Sequence, residues 1–193
     1  MNPQLAAQLE RLSALGEAHD ADEPEHSKRM LNITPDTGQL LWILIRSNGT
    51  KRVLEVGTSN AYSTIWLADA VTATGGRVAT LERLPEKIAL AEEQLAEAGL
   101  RQHVDIIEGD AGDSLADLDG EFDLVFLDAD RGSYVGYLPR LVELLRSGGL
   151  LVTDNVTSHP DEVAAFLEAV RADVRLATVT LPIGKGEELT LKL

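Results

Sequence analysis

Val53-Leu54-Glu55-Val56-Gly57-Thr58-Ser59-Asn60-Ala61-Tyr62-Ser63 reads as a short buried strand, a tight turn at Gly57 and the start of a helix that continues through Thr64, Ile65, Trp66 and Leu67. A strand feeding a helix through a small-residue turn is how open α/β sheets hold nucleotide-type cofactors. Glu55, two positions before the glycine, narrows the choice. A carboxylate at the strand end would repel a pyrophosphate seated on the helix N-terminus. It would attract a cationic amino group attached to an adenosine. The stretch therefore points to S-adenosylmethionine (SAM) rather than a nicotinamide cofactor.

Outward from this turn the chain alternates strand and helix. Strands are expected near 53–56, 77–82, 104–108, 122–127 and 149–153, with helices near 61–72, 85–98, 133–145 and 160–171. In the second helix Ile88, Ala91, Leu95 and Ala98 form one apolar stripe, and Gly99 ends it. Such alternation implies a parallel sheet covered on both faces. Two further strand-like runs, 174–181 and 187–192, meet at Pro182-Ile183-Gly184-Lys185-Gly186 and read as an antiparallel finish. Residues 1–47 read as a helical N-terminal extension. Leu5, Leu9, Leu12 and Leu15 make its first stripe, Gly16 its C-cap, and a polar linker starts at His19. A second apolar face follows at Leu40, Leu41, Leu44 and Ile45. The expected fold is α/β: one domain over 1–193, whose 48–193 core is a Rossmann-like, doubly wound, seven-stranded, mostly parallel sheet with an antiparallel C-terminal strand.

Composition bounds the function. The 193 residues carry a net charge of −15, 44% hydrophobic residues and no cysteine. An acidic surface repels phosphate backbones and anionic lipid, which disfavours nucleic-acid and membrane partners. The missing thiols exclude disulfides, thiolate zinc and a cysteine nucleophile. No apolar run reaches the roughly 18–20 residues of a membrane span, and Met1-Asn2-Pro3-Gln4-Leu5 lacks the basic start of a secretory signal. A cytoplasmic location is the expectation.

In a parallel sheet the ligand lies off the carboxyl ends of the strands. Those ends read Glu55 and Gly57, then Glu82, then Gly109-Asp110-Ala111, then Asp128-Ala129-Asp130-Arg131, and finally Asp154-Asn155. Any single acid there has an ordinary explanation as a helix N-cap. Five edges in succession are harder to explain that way. Glu82 stands where a carboxylate accepts hydrogen bonds from ribose hydroxyls, and small Ala111 leaves room for an adenine ring. Asp128, Asp154 and Asn155 end two strands expected to be neighbours. They are hard oxygen donors suited to Mg²⁺, Ca²⁺ or Mn²⁺. Such an ion lowers the pKa of a bound hydroxyl.

On these residues, together with Asn32-Ile33, Gly38-Gln39, Asp154-Asn155-Val156 and Leu181-Pro182-Ile183-Gly184, the chain resembles the class I SAM-dependent O-methyltransferases of the catechol and caffeoyl-CoA type. The resemblance runs from about residue 30 to the C-terminus. It implies that Ile33 meets the methionine part of the cofactor, and that Glu55, Gly57, Thr58 and Ser63 hold its amino and carboxylate groups. Glu82 would bind the ribose, Ala111 the adenine, and Asp128 would border the cofactor. Asp128, Asp154 and Asn155 would carry the divalent metal, and Tyr134 would face the substrate, a small aromatic with vicinal hydroxyls. A homodimer is also implied. Two departures stand out. Ser59, Asn60 and Ala61 occupy a turn where the family has more glycine; Asn60 is the residue suited to a left-handed conformation. Arg131 stands where these enzymes carry a lysine base, and a guanidinium stays protonated at working pH. As a catalytic residue alongside Asp128 it would stabilise a phenolate, with His159 or water taking the proton. Other readings are methylation of a hydroxylated nucleoside in RNA, a cofactor-binding protein with weakened catalysis, and a nicotinamide oxidoreductase.

Overall fold

The computed structural model describes residues 1–193. Seven strands form one sheet: β1 Arg52–Val56, β2 Arg77–Glu82, β3 Val104–Glu108, β4 Phe122–Leu127, β5 Leu145–Thr153, β6 Leu176–Leu181 and β7 Glu187–Lys192. Their order is β3-β2-β1-β4-β5-β7-β6. β1 to β5 run parallel, while β7 is antiparallel to both β5 and β6. The order reverses between β1 and β4, so a crevice opens beyond their carboxyl ends.

Seven helices cover the sheet: α1 Pro3–Asp22, α2 Pro35–Asn48, α3 Tyr62–Thr72, α4 Pro85–Glu97, α5 Ala111–Asp117, α6 Tyr134–Leu144 and α7 Pro160–Ala172. Strand alternation sends successive side chains to opposite faces. Val53 joins a core under α1 to α4 with Leu41, Ile45 and Ile65, whereas Leu54 and Val56 join a second core under α5 to α7 with Leu141 and Phe166. Glu55 shares the Val53 face, so the fold buries a carboxylate among apolar neighbours. No helix is long and apolar enough to cross a membrane.

Several boundaries differ from the sequence reading. α1 does not stop at Gly16 but continues to Asp22 and buries Gly16, leaving Leu15 exposed. The true stripe is Leu5, Leu9, Leu12, Gly16, and the glycine is selected because Asn32 presses on it: a Cβ there would lie 2.4 Å from the Asn32 amide nitrogen. The segment from His19 to Asp22 is thus helix, not linker. β5 begins earlier, at Leu145, across an irregularity in its pairing with β4. α5 went unannounced, since it has only seven residues and contains Gly112; Asp110 caps it by accepting from the backbone N–H groups of Gly112 and Asp113.

Candidate active site

A cavity of about 520 Å³ occupies the crevice beyond β1 and β4. Of the residues singled out from sequence, Ile33, Gly57, Thr58, Ser63, Glu82, Ala111, Asp128, Arg131, Asn155 and His159 line it. Glu55, Asp154 and Tyr134 do not reach its wall.

Gly57 makes the crevice possible. The backbone N–H groups of Gly57 and Thr58 donate to the Leu81 carbonyl at 3.1 and 3.2 Å, which folds the turn over β2. Gly57 adopts φ +107, and a Cβ would sit 2.1 Å from the Asp128 carbonyl oxygen. Beyond it the left-handed residues are Ser59 (φ 48) and Ala61 (φ 66), not Asn60. Asn60 instead accepts from the Tyr62 N–H at 3.4 Å. A left-handed non-glycine residue costs about 1–2 kcal/mol, whereas burying the Ala61 methyl returns about 0.8 kcal/mol. Ala61→Gly is therefore expected to raise the unfolding free energy by about 0.5 kcal/mol, read as a higher urea midpoint.

Glu55 is fully buried behind Ser63 and is clasped by three hydroxyls. Ser63 donates to one carboxyl oxygen at 2.5 Å; Thr64 at 2.5 Å and Thr80 at 2.6 Å donate to the other. Burial pushes its carboxyl up to about 7 even though all three hydroxyls favour the ionised form. Its charge can thus reach a ligand only through Ser63 and across a low-dielectric layer. Glu82 points into the cavity while accepting from the backbone N–H groups of Ser59, Arg83 and Leu84 at 2.8 to 3.0 Å. It ties the β1–α3 turn to the end of β2, and a carboxylate has lone-pair capacity left for hydroxyls after three such bonds.

At the other end β4 and β5 pair through Leu127 and Thr153, which sets Asp128 beside Asp154-Asn155. The Asn155 amide donates to Asp128 at 3.0 Å. Burial, reinforced by Asp154, drives the Asp128 carboxyl far above its ordinary range. Asp154 keeps one buried oxygen without a hydrogen-bond partner. The sequence reading did not pick out Glu187. This residue opens β7, is fully buried, accepts from Thr37 at 2.7 Å, and has its own unpartnered oxygen. Burial and the neighbouring Asp154 raise its carboxyl strongly. Two adjacent acids, Glu187-Glu188, opening a strand that alternates with Leu189 and Leu191, were the available signal. No three His, Asp or Glu side chains converge in a metal-ligand arrangement. The expected set nevertheless has only two carboxylates plus an amide, and its unpartnered oxygen and the raised Asp128 carboxyl suit a hard divalent cation.

Tyr134 is the first residue of α6 and faces the sheet. Its hydroxyl accepts from the Ala129 N–H at 2.9 Å and donates to the Ala129 carbonyl at 3.2 Å, while its ring meets Phe166 edge-on at 5.5 Å. It braces the Asp128–Asp130 turn from behind, and Tyr137, one turn further along α6, lines the cavity instead. Arg131 is committed to Glu162 of α7 at 2.7 Å. Lys185, from the β6–β7 loop, also lines the cavity and donates to the Asn32 carbonyl at 3.2 Å.

A family profile described as O-methyltransferase matches residues 10–193. Two catechol O-methyltransferases, from Mycobacterium tuberculosis and Niastella koreensis, are 40% and 39% identical over 125 and 130 residues, covering 64% and 65% of this chain. The matches span only 56% and 58% of those relatives' own lengths. Among solved structures, the Bacillus cereus O-methyltransferase in complex with SAH superposes with a TM-score of 0.82 at 27% identity, over 97% of this chain and 91% of that one. The Streptomyces achromogenes O-methyltransferase involved in tomaymycin synthesis, in complex with SAM, gives 0.80 at 28% identity, over 100% and 90%.

Proposed function

We propose, from the premise that this chain belongs to the O-methyltransferase family, that it transfers the methyl group of SAM to a hydroxyl of a small catechol-like aromatic. The observation that supports this best is the crevice itself: one cavity joins the β1–α3 turn, with its buried Glu55, to the Asp128 and Asn155 end of the neighbouring strands. That spacing suits a cofactor whose methionine part lies over Gly57 and whose ribose reaches Glu82. Glu55, held by Ser63 and Thr80, supplies negative potential for the amino group. Ala111 leaves the cavity wall low where the adenine would lie.

The reaction is an in-line displacement at the sulfonium methyl, so alignment of oxygen, carbon and sulfur accounts for much of the rate. Asp128, Asp154 and Asn155 are the residues that would hold a divalent ion, which when bound lowers the pKa of an acceptor hydroxyl. Asp128 is fixed for this work by two neighbours: its N–H bonds the Val56 carbonyl at 3.1 Å, and the Asn155 amide bonds its carboxylate. Arg131, spent on Glu162, contributes a fixed positive charge at the rim.

The test is methylation of catechol and of hydroxycinnamate esters with and without Mg²⁺. Turnover is expected to fall at least about 100-fold on chelation or on Asp154→Ala. Metal-independent turnover, or an unaffected Asp154→Ala enzyme, would remove the ion from the mechanism. Absence of any methylated catechol would remove the acceptor class.

A further inference from the structure

We propose that Lys185 is a catalytic residue that takes the proton from the acceptor hydroxyl; this rests on the methyl-transfer reading above. Three observations carry it. First, Lys185 stands on the wall that the main cavity shares with a second cavity of about 430 Å³ beneath α1.

Second, its backbone is fixed. The Lys185 carbonyl accepts from the N–H groups of Thr157 and Ser158 at 3.2 and 3.0 Å and from the Thr157 hydroxyl at 2.8 Å. Gly184, at φ +59, lies so close to the α2 N-terminus that a Cβ would meet the Thr37 and Thr34 hydroxyls at 2.3 and 2.5 Å. The hairpin loop therefore docks against the segment after Asp154 and fixes the lysine backbone at the cavity wall.

Third, the amine is uncommitted. Lys185 forms no ion pair, and its one polar partner is the neutral Asn32 carbonyl, whereas Arg131 is paired to Glu162. The charged and titratable groups that line the two cavities with it are His26, Tyr62, Glu82, Arg83, Lys87, Asp110, Asp128, Asp130, Arg131, Tyr137 and His159 in the first, and Glu17 and Asp20 in the second. Lysine, unlike arginine, can hold its nitrogen neutral and so accept a proton.

The step balances within the cofactor and acceptor. The lone pair of the neutral Lys185 amine takes the hydroxyl proton. The freed oxygen pair forms the O–C bond to the methyl as the C–S bond breaks, and that electron pair stays on sulfur. The products are the methyl ether, S-adenosylhomocysteine (SAH) and a Lys185 ammonium, which returns its proton to solvent.

Lys185→Met and Lys185→Arg test this with two acceptors: catechol, whose hydroxyl must be deprotonated, and nitrocatechol, already ionised near neutral pH. Both variants are expected to lose about 100-fold in kcat on catechol and less than about fivefold on nitrocatechol. Calorimetric affinity for SAH should stay within about threefold of the unmodified chain, which shows that each variant is folded. Full kcat in Lys185→Arg, or equal losses on both acceptors, would overturn the proposal in favour of a charge or positioning role. A wild-type chain that binds SAH yet methylates neither acceptor would overturn the catechol reading, and this assignment with it.

Discussion

Gly57→Ala is expected to cost at least about 3 kcal/mol of folding stability and to abolish SAH binding. Two penalties combine. At φ +107 an L side chain is strained wherever it sits, and here the added Cβ would also lie 2.1 Å from the Asp128 carbonyl oxygen and 3.0 Å from its carbon. The end of β4 cannot retreat to make room. The Asp128 N–H is bonded to Val56 on one side, and the Leu127 carbonyl accepts from the Asp154 N–H on the other. Gly99→Ala is the control. Gly99 has φ +68 with nothing within 4 Å of a Cβ, so only the conformational cost of about 1 kcal/mol applies. Urea denaturation of both variants reads the difference. A Gly57→Ala chain within about 1 kcal/mol of the parent would mean that the turn relaxes and that the crevice does not depend on this approach.

Glu55→Gln is expected to move stability and affinity in opposite directions. In the folded chain the carboxyl keeps its proton to about pH 7, against 4.5 for an unperturbed glutamate. Between those values the folded state binds a proton that the unfolded state has lost, so stability falls as pH rises. The slope is about 1.4 kcal/mol per pH unit; the total is roughly 3 kcal/mol, and the curve flattens above pH 7. Glutamine carries no such proton. The ligand-free variant should match the parent near pH 4.5 and exceed it by roughly 2–3 kcal/mol at pH 8. Its affinity for SAH at pH 8 should drop about 10- to 100-fold, because the proposed attraction of the ligand's ammonium by the ionised carboxylate behind Ser63 is gone. Parallel stability curves across this pH range would show that Glu55 is not strained by burial; unchanged affinity would show that its charge does not reach the ligand.

Much of the fold was legible because apolar periodicity is a local property. Runs such as Leu124-Val125-Phe126-Leu127, closed by Asp128, can bury both faces only in a covered parallel sheet, and the acids at the edge follow from where those runs stop. The misreadings were also local. Gly16 was read as a C-cap because an isolated glycine near the end of a stripe has that usual meaning. Its actual reason for being small, the Asn32 side chain, arrives from the next segment. Likewise Asn60 had the better propensity for a left-handed turn, yet the docking of the turn against Leu81 and Glu82 assigned those angles to Ser59 and Ala61.

By itself the sequence determined the α/β class, the strand ends, the sheet edge beyond them, and the residue types gathered there, since each depends on the pattern of a few consecutive residues. Only the tertiary structure decided the strand order and which of those groups face the cavity. It withdrew Glu55 behind Ser63, turned Tyr134 inward onto Ala129, and spent Arg131 on Glu162. It also brought Lys185 and Glu187 from the far end of the chain to the Asp128–Asp154 site. Burial, packing and charge pairing depend on groups distant in the chain, and no local pattern encodes them.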